Sequence, residues 1–179
     1  MSNCFQFENI NMLQHGEMVH ESYLQLMQDL ESGKEAPIFQ ELYDLTKHKL
    51  LPAHALKNYH IYHDCGKHIQ IEYDEHGRRH FPNHAANSAQ QYAILFRHDV
   101  NTQFLILHDM HFHMKRGDEL AWLFRHPLGP NLFFTALAEI NANCQMFGGR
   151  DSDSYKIKLK RLIQTAKKFI SSLKDANND

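Results

Sequence analysis

The sequence predicts an all-α protein: one bundle of about seven helices, with a small β-hairpin as an option near residues 69–81. Three observations predict it. Apolar side chains recur every three to four positions along much of the chain, which is the helical period. Glycine or proline punctuation separates those stripes, at Gly33, Pro52, Gly66, Pro127 and the Gly148-Gly149 pair. No internal repeat, low-complexity linker or charge block divides the chain. The reading is therefore a single domain over 1–179, with a core of about 12–147 and a basic amphipathic helix at about 152–173.

The elements follow in order. Residues 11–31 carry Met12, Val19, Tyr23, Leu26, Met27 and Leu30 as a helical stripe closed by Gly33. A short helix is expected over 38–50, ahead of Pro52, and another over 53–65, closed by Gly66. Glycine is a natural C-terminal stop. The alternating segment "IQIEYDEHGRRHF" contains a turn signal at His76-Gly77 and reads as a hairpin or an irregular loop. Pro82-Asn83 should start a helix through about Arg97. Asn101 or Thr102 should cap one through about Met114, and Asp118 one through about His126. Pro130 opens a nearly all-apolar helix running to Gly148, and apolar character all round argues for burial. The last helix puts Leu159, Leu162, Ile163, Ala166, Phe169, Ile170 and Leu173 on one face.

Composition narrows the function classes. The chain has 179 residues, 42% hydrophobic and 22% charged, which is ordinary for a globular domain. A formal net charge of −2 excludes a chain-wide polycation. No apolar run reaches the roughly 18 residues of a membrane span, and the start lacks a secretory pattern. Cys4, Cys65 and Cys144 lack metal-type spacing, so reduced thiols and a cytoplasmic location are expected.

Histidine is the outlier, with 15 copies that cluster. His60, His63, His68, His76, His80 and His84 are close in sequence, as are His108, His111 and His113. Helix geometry selects among them, because residues three or four apart share a face. His15 joins the stripe of Val19 and Tyr23, whereas His20 falls off it. His63 shares a face with Leu56 and with Tyr59 or His60, with Asp64 adjacent. His84 aligns with Ser88 and Gln91. His108 follows Phe104 by four, and Asp109 follows Leu105 by four. For any one histidine, a hydrogen-bonded core residue is the simpler reading. Converging imidazoles and carboxylates together would form a site for Mn, Fe, Co, Ni, Zn or Mg.

The residues "HDCGK", His63 to Lys67, resemble the His-Asp signature of the HD-domain phosphohydrolase superfamily. The upstream "QHGEMV", the downstream "DEHGRRHFPNHAANSA" and the later "LILHDMHFH" are similar to the family's other motifs. The resemblance covers about residues 12–147. In detail it is to the small HD domains with 2′,3′-phosphoesterase activity that accompany polynucleotide kinases in bacterial and phage RNA repair. It implies an HD-domain bundle and two divalent metal ions. By position, His15 would be the first-helix ligand. His63 and Asp64 would be the signature pair, with Asp64 bridging the ions. His84 and His108 would complete the second site. Where the family supplies a late aspartate this chain has Glu139, and Asp109 is the alternative. Asp64 and Lys67 would be the catalytic groups, Lys67 facing phosphate. Cys65 reads as a small core residue.

The implied activity is hydrolysis of nucleotides or RNA ends, including 2′,3′-cyclic phosphates or 2′-phosphates, with an RNA-repair kinase or ligase as partner. A nucleotidase or cyclic-nucleotide phosphodiesterase is an alternative, as is a catalytically silent HD domain that binds nucleotide or RNA. Arg78 and Arg79 are candidates for substrate phosphate, against a plain solvated turn. Arg125 and His126 form a similar pair. Lys156, Lys158, Lys160, Arg161, Lys167, Lys168 and Lys174 form a basic face with no acid from 154 to 174. That face suits a polyanion such as RNA, against a merely solvated surface. Trp122, Phe124 and Phe112 could stack a base, but core packing is the simpler reading.

Overall fold

The structure, a computed structural model, describes residues 5–7 and 10–176, the first three by backbone alone; Cys4 lies outside them. A short antiparallel pair, β1 (Phe5–Phe7) and β2 (Ile10–Asn11), leads into α1 (Met12–Glu31). Asn11 caps α1 reciprocally: its side chain accepts from the Gln14 N–H at 2.9 Å, and the Gln14 side chain accepts from the Asn11 N–H at 3.0 Å. Two otherwise orphaned donors are satisfied, which fixes where the helix starts. The expected stripe is buried, from Met12 and His15 through Val19, Tyr23 and Leu26 to Leu30.

Next come α2 (Pro37–Thr46), ending in a 3-10 turn at Lys47–Lys49, and α3 (Ala53–Tyr62). The hairpin option is the one adopted: β3 (Glu72–Tyr73) pairs with β4 (Arg79–His80), both exposed. Then follow α4 (His84–Leu95), α5 (Val100–His108), α6 (His111–Met114), α7 (Ala121–Arg125), α8 (Gly129–Ala142) and α9 (Asp153–Ala176). Two corrections concern segments 101–114 and 130–147, which are each two pieces rather than one helix. The first breaks at Asp109-Met110, and the second passes into a 3-10 turn at Gln145–Phe147. The cap of α5 is Asp99, whose carboxylate accepts from the Thr102 N–H at 3.2 Å, not Asn101 or Thr102. Asp118 sits inside a 3-10 turn at Gly117–Leu120 that precedes α7.

Helix α8 is the axis of the bundle. Every residue from Gly129 to Ala138 is buried, as its all-apolar sequence demands. Helix α1 packs on both α3 and α8, α4 on α5, and α9 on α2, α7 and α8. Phe133 meets Phe39, Phe112, Phe134 and Phe169, joining α2, α6, α8 and α9 in one aromatic core. At the α1–α3 crossing Gly16 allows backbone contact: a Cβ there would lie 2.7 Å from the His60 carbonyl oxygen. That close approach brings His15 up to the end of α3. Among the described residues no helix is long and apolar enough to cross a membrane.

Candidate metal centre

The site begins where α3 stops. After Tyr62 the chain runs through overlapping turns, with Cys65 N–H bonded to Tyr62 O, Lys67 N–H to Asp64 O and Ile69 N–H to Gly66 O. Two successive residues can therefore both face inward, and His63 and Asp64 are 2% and 1% exposed. Gly66 is required here by contact: a Cβ would lie 2.3 Å from the Ser88 nitrogen on α4. The Gly66 N–H also donates to Ser88 Oγ at 2.8 Å, clamping the turn to α4.

Five elements and this turn deliver the ligand-type groups. Asp64 Oδ2 lies 3.3 Å from His63 Nε2 and 3.7 Å from His15 Nε2, while Asp64 Oδ1 lies 3.7 Å from His84 Nε2. Lys67 Nζ donates to Asp64 Oδ2 at 2.5 Å. On the far side of His15, Glu139 of α8 lies 3.9 Å away, and Glu139 is paired with His113 of α6 at 2.8 Å. His63, Asp109 and Glu139 bring one ligand atom each within 4.8 Å of one another, as do His15, His63 and Asp64.

The orientation of these groups is fixed from behind. His63 Nδ1 is 2.8 Å from the His60 carbonyl and His84 Nδ1 is 2.8 Å from the Phe81 carbonyl. A backbone carbonyl accepts, so both Nδ1 atoms are protonated and both Nε2 atoms face the cluster. This is how metal-binding imidazoles are commonly held. Asp109 accepts from the buried Tyr59 hydroxyl at 2.5 Å, and Glu139 accepts from the Asn143 amide at 3.4 Å.

Electrostatically the cluster is charge-rich and largely buried. Burial opposes ionisation of Asp64, but Lys67, His63 and His15 outweigh it and hold the carboxyl well below its usual range. Burial also opposes charge on His63, yet Asp64, Asp109 and Glu139 raise it to about 10. Burial and the neighbouring His63 lower His15 to about 4. Glu139 is held low chiefly by His113, against burial, and Asp109 is pushed up by burial.

The structure brings together His15, His63, Asp64, Lys67, His84, Asp109 and Glu139 from the sequence-derived set. Glu139 and Asp109 are not alternatives, since both reach the cluster. His108 is a correction. Its ring packs on Phe104 at 4.4 Å, His111 at 4.7 Å and Trp122 at 5.0 Å. Successive helical residues point about 100° apart, so His108 and Asp109 cannot both face the cluster, and Asp109 does. His113 was missed. It is four residues after Asp109, but the helix breaks at Asp109-Met110 between them, so spacing alone does not place it.

Arg78 and Arg79 are exposed on the β3–β4 hairpin, where the Arg79 guanidinium lies 6.0 Å from the Phe81 ring centre. Lys67 approaches the same ring at 5.5 Å. His126 stacks on Phe104 at 4.1 Å beside the half-exposed Trp122, while Phe112 and Phe124 belong to the core. Cys65 is buried, and burial pushes its thiol up to about 11.

The donor set could hold a divalent metal. Both ring nitrogens of His15 are buried without a hydrogen-bond partner, an expensive arrangement for a polar atom unless something is bound. Imidazole nitrogen mixed with carboxylate oxygen suits first-row transition metals and Mg. A cavity of about 220 Å³, lined by Asp64, Lys67, His84, His113, Glu139 and Lys158 among others, opens the cluster to solvent. No family model, curated protein or solved structure matches this chain.

Proposed function

We propose that the chain is a metal-dependent phosphohydrolase of the HD type, acting on phosphate esters of nucleotides or RNA ends. The observation that carries the reading is the buried convergence of His15, His63, Asp64, Asp109 and Glu139, with His84 beside Asp64. His15, with no hydrogen-bond partner on either nitrogen, is its sharpest element. His63 Nε2 has a single lone pair and would serve one ion, held either with His15 and Asp64 or with Asp109 and Glu139, with His84 within reach of Asp64. A divalent metal bound there would supply Lewis-acid chemistry, polarising a phosphoryl oxygen and lowering the pKa of water toward neutrality.

The chain's own groups supply the remainder. Hydrolysis adds water across the ester: a water oxygen bonds to phosphorus, the P–O ester bond breaks, and its electron pair stays with the leaving oxygen, which takes a proton. In a 2′,3′-cyclic phosphate the same addition opens the ring. Lys67, on the wall of the cavity, offers a cation to the phosphoryl oxygens as negative charge builds there. The buried carboxylates and the backbone-anchored imidazoles keep the ligand geometry fixed during turnover.

Metal analysis of the purified chain, followed by a panel of phosphate esters, tests the reading. The panel contains 2′,3′-cyclic nucleotides, RNA with 2′,3′-cyclic or 2′-phosphate ends, dNTPs and cyclic dinucleotides. Asp64→Ala should lose bound metal and hydrolysis together while keeping the helical circular-dichroism signal. Full activity of Asp64→Ala with manganese present would overturn the assignment. A wild-type chain that binds metal-free nucleotide and hydrolyses nothing would instead be a silent binding domain.

A further inference from the structure

A second, larger cavity adjoins the candidate metal centre. It has about 550 Å³ and lies between α6 and α9, and it shares His113, Ile140 and Lys158 with the site cavity. Arg116, Lys158, Lys160 and Arg161 line it, and no carboxylate does among the described residues. Ile157 also lines it and is 68% exposed, an apolar side chain left in solvent within a ring of cations. Arg161 donates through one guanidinium nitrogen to the Lys115 carbonyl at 3.0 Å, while its buried Nε has no partner.

The positive track continues beyond this cleft. A smaller cavity contains Arg116, Arg161 and Lys168, and α9 carries no acid from 154 to 174. From Lys158 to Lys168 the helix rises ~15 Å. A stacked strand advances about 3.4 Å per nucleotide, so the track spans several nucleotides. Cationic walls with an exposed apolar side chain match the alternation of phosphate with sugar and base.

We infer that the α6–α9 cleft seats the nucleotides next to the reacting phosphate, making the substrate a single-stranded oligonucleotide end rather than a mononucleotide. The position of the reacting phosphate rests on the hydrolase reading above; strand binding in the cleft does not. Continuity with the metal centre favours this occupant over a polyanion held elsewhere on α9. A mononucleotide at the metal centre would leave Arg116, Lys160 and Arg161 unused.

The test uses the full chain and a fluorescent eight-nucleotide RNA with a non-hydrolysable terminal phosphorothioate. Anisotropy should show binding at least ten-fold tighter than a mononucleotide competitor. Lys160→Glu alone, and together with Arg161→Ala, should weaken strand binding about ten-fold or more and flatten its salt dependence. Lys34→Glu, an equal charge change outside the cleft, should leave it unchanged. Lys160 is exposed, so its variant should fold and keep the experiment decisive. Where the wild type hydrolyses both, kcat/KM for the RNA end should fall about ten-fold in the variants, and that for a 2′,3′-cyclic mononucleotide should stay within two-fold. Absent strand binding, wild-type binding by the variants, or equal binding of duplex RNA or anionic vesicles would overturn the inference. If the wild type hydrolyses nothing, the hydrolase reading fails, and the anisotropy series still decides the cleft.

Discussion

His63 and His15 stand 5.2 Å apart between ring centres and are pushed in opposite directions. His63 is raised to about 10 from 6.5, so between those values the folded chain holds a proton that the unfolded chain releases. Its contribution to stability is therefore full below about 6.5 and is lost as pH rises toward 10. His15 is lowered to about 4, so its contribution is full above about 6.5 and is lost as pH falls toward 4. Metal-free protein should thus show a dome of thermal stability centred near neutral pH. His63→Asn should flatten the alkaline limb and also soften the acid limb, because His63 helps to hold His15 low. Thermal unfolding in chelator between roughly pH 5 and pH 10 reads both limbs, and an alkaline limb untouched by His63→Asn would refute the account. Metal needs the neutral ring of His63, so uptake at neutral pH should release protons. Calorimetry in buffers of different ionisation enthalpy measures that release.

At the scale of elements, the turn after α3 is the part most exposed to a single change. A methyl at position 66 would meet the α4 backbone, the Ser88 nitrogen at 2.3 Å and the Asn87 carbonyl carbon at 2.5 Å. Backbone has no rotamer by which to yield, so Gly66→Ala should push α4 away and cost about 1–3 kcal/mol. Because His84 is the first residue of α4, the same change should weaken metal binding. Urea unfolding and metal titration of the variant check the two effects; unchanged affinity would mean His84 contributes nothing. This contact also marks how far the sequence was legible. Helical stripes gave α1, the buried α8 and the inward face of α9, because each depends on side-chain periodicity alone. His15 and the His63-Asp64 pair were legible through periodicity and motif. The role of Gly66 in seating α4, the break at Asp109-Met110 and the arrival of His113 beside Glu139 were not. Each depends on which neighbour a segment meets, and that is a property of the packed bundle.

Across the whole molecule, the aromatic core and the candidate metal centre sit on overlapping sets of elements but can be uncoupled experimentally. Phe169 of α9 is fully buried and touches Phe112, Phe124 and Phe133, so it ties α9 to α6, α7 and α8. Phe169→Ala should cost about 3–5 kcal/mol through lost burial and the cavity left behind. The candidate metal centre instead draws on α1, α4, α8, Asp109 at the end of α5 and the turn after α3. An ion at a hundred times its dissociation constant should add about 2.7 kcal/mol. For a chain of this size that is a rise of roughly 5–10 °C in the unfolding midpoint. Phe169→Ala should start lower and keep the whole metal-dependent rise. Asp64→Ala should lose the rise, because the carboxylate at the centre of the cluster is gone. Its metal-free midpoint should also fall, because Lys67 and His63 then lose their buried counter-charge. Scanning fluorimetry of the three proteins, with and without chelator, gives three metal-dependent rises and two metal-free offsets that check the account. A metal-dependent rise that survives in Asp64→Ala would place the ion somewhere other than this cluster.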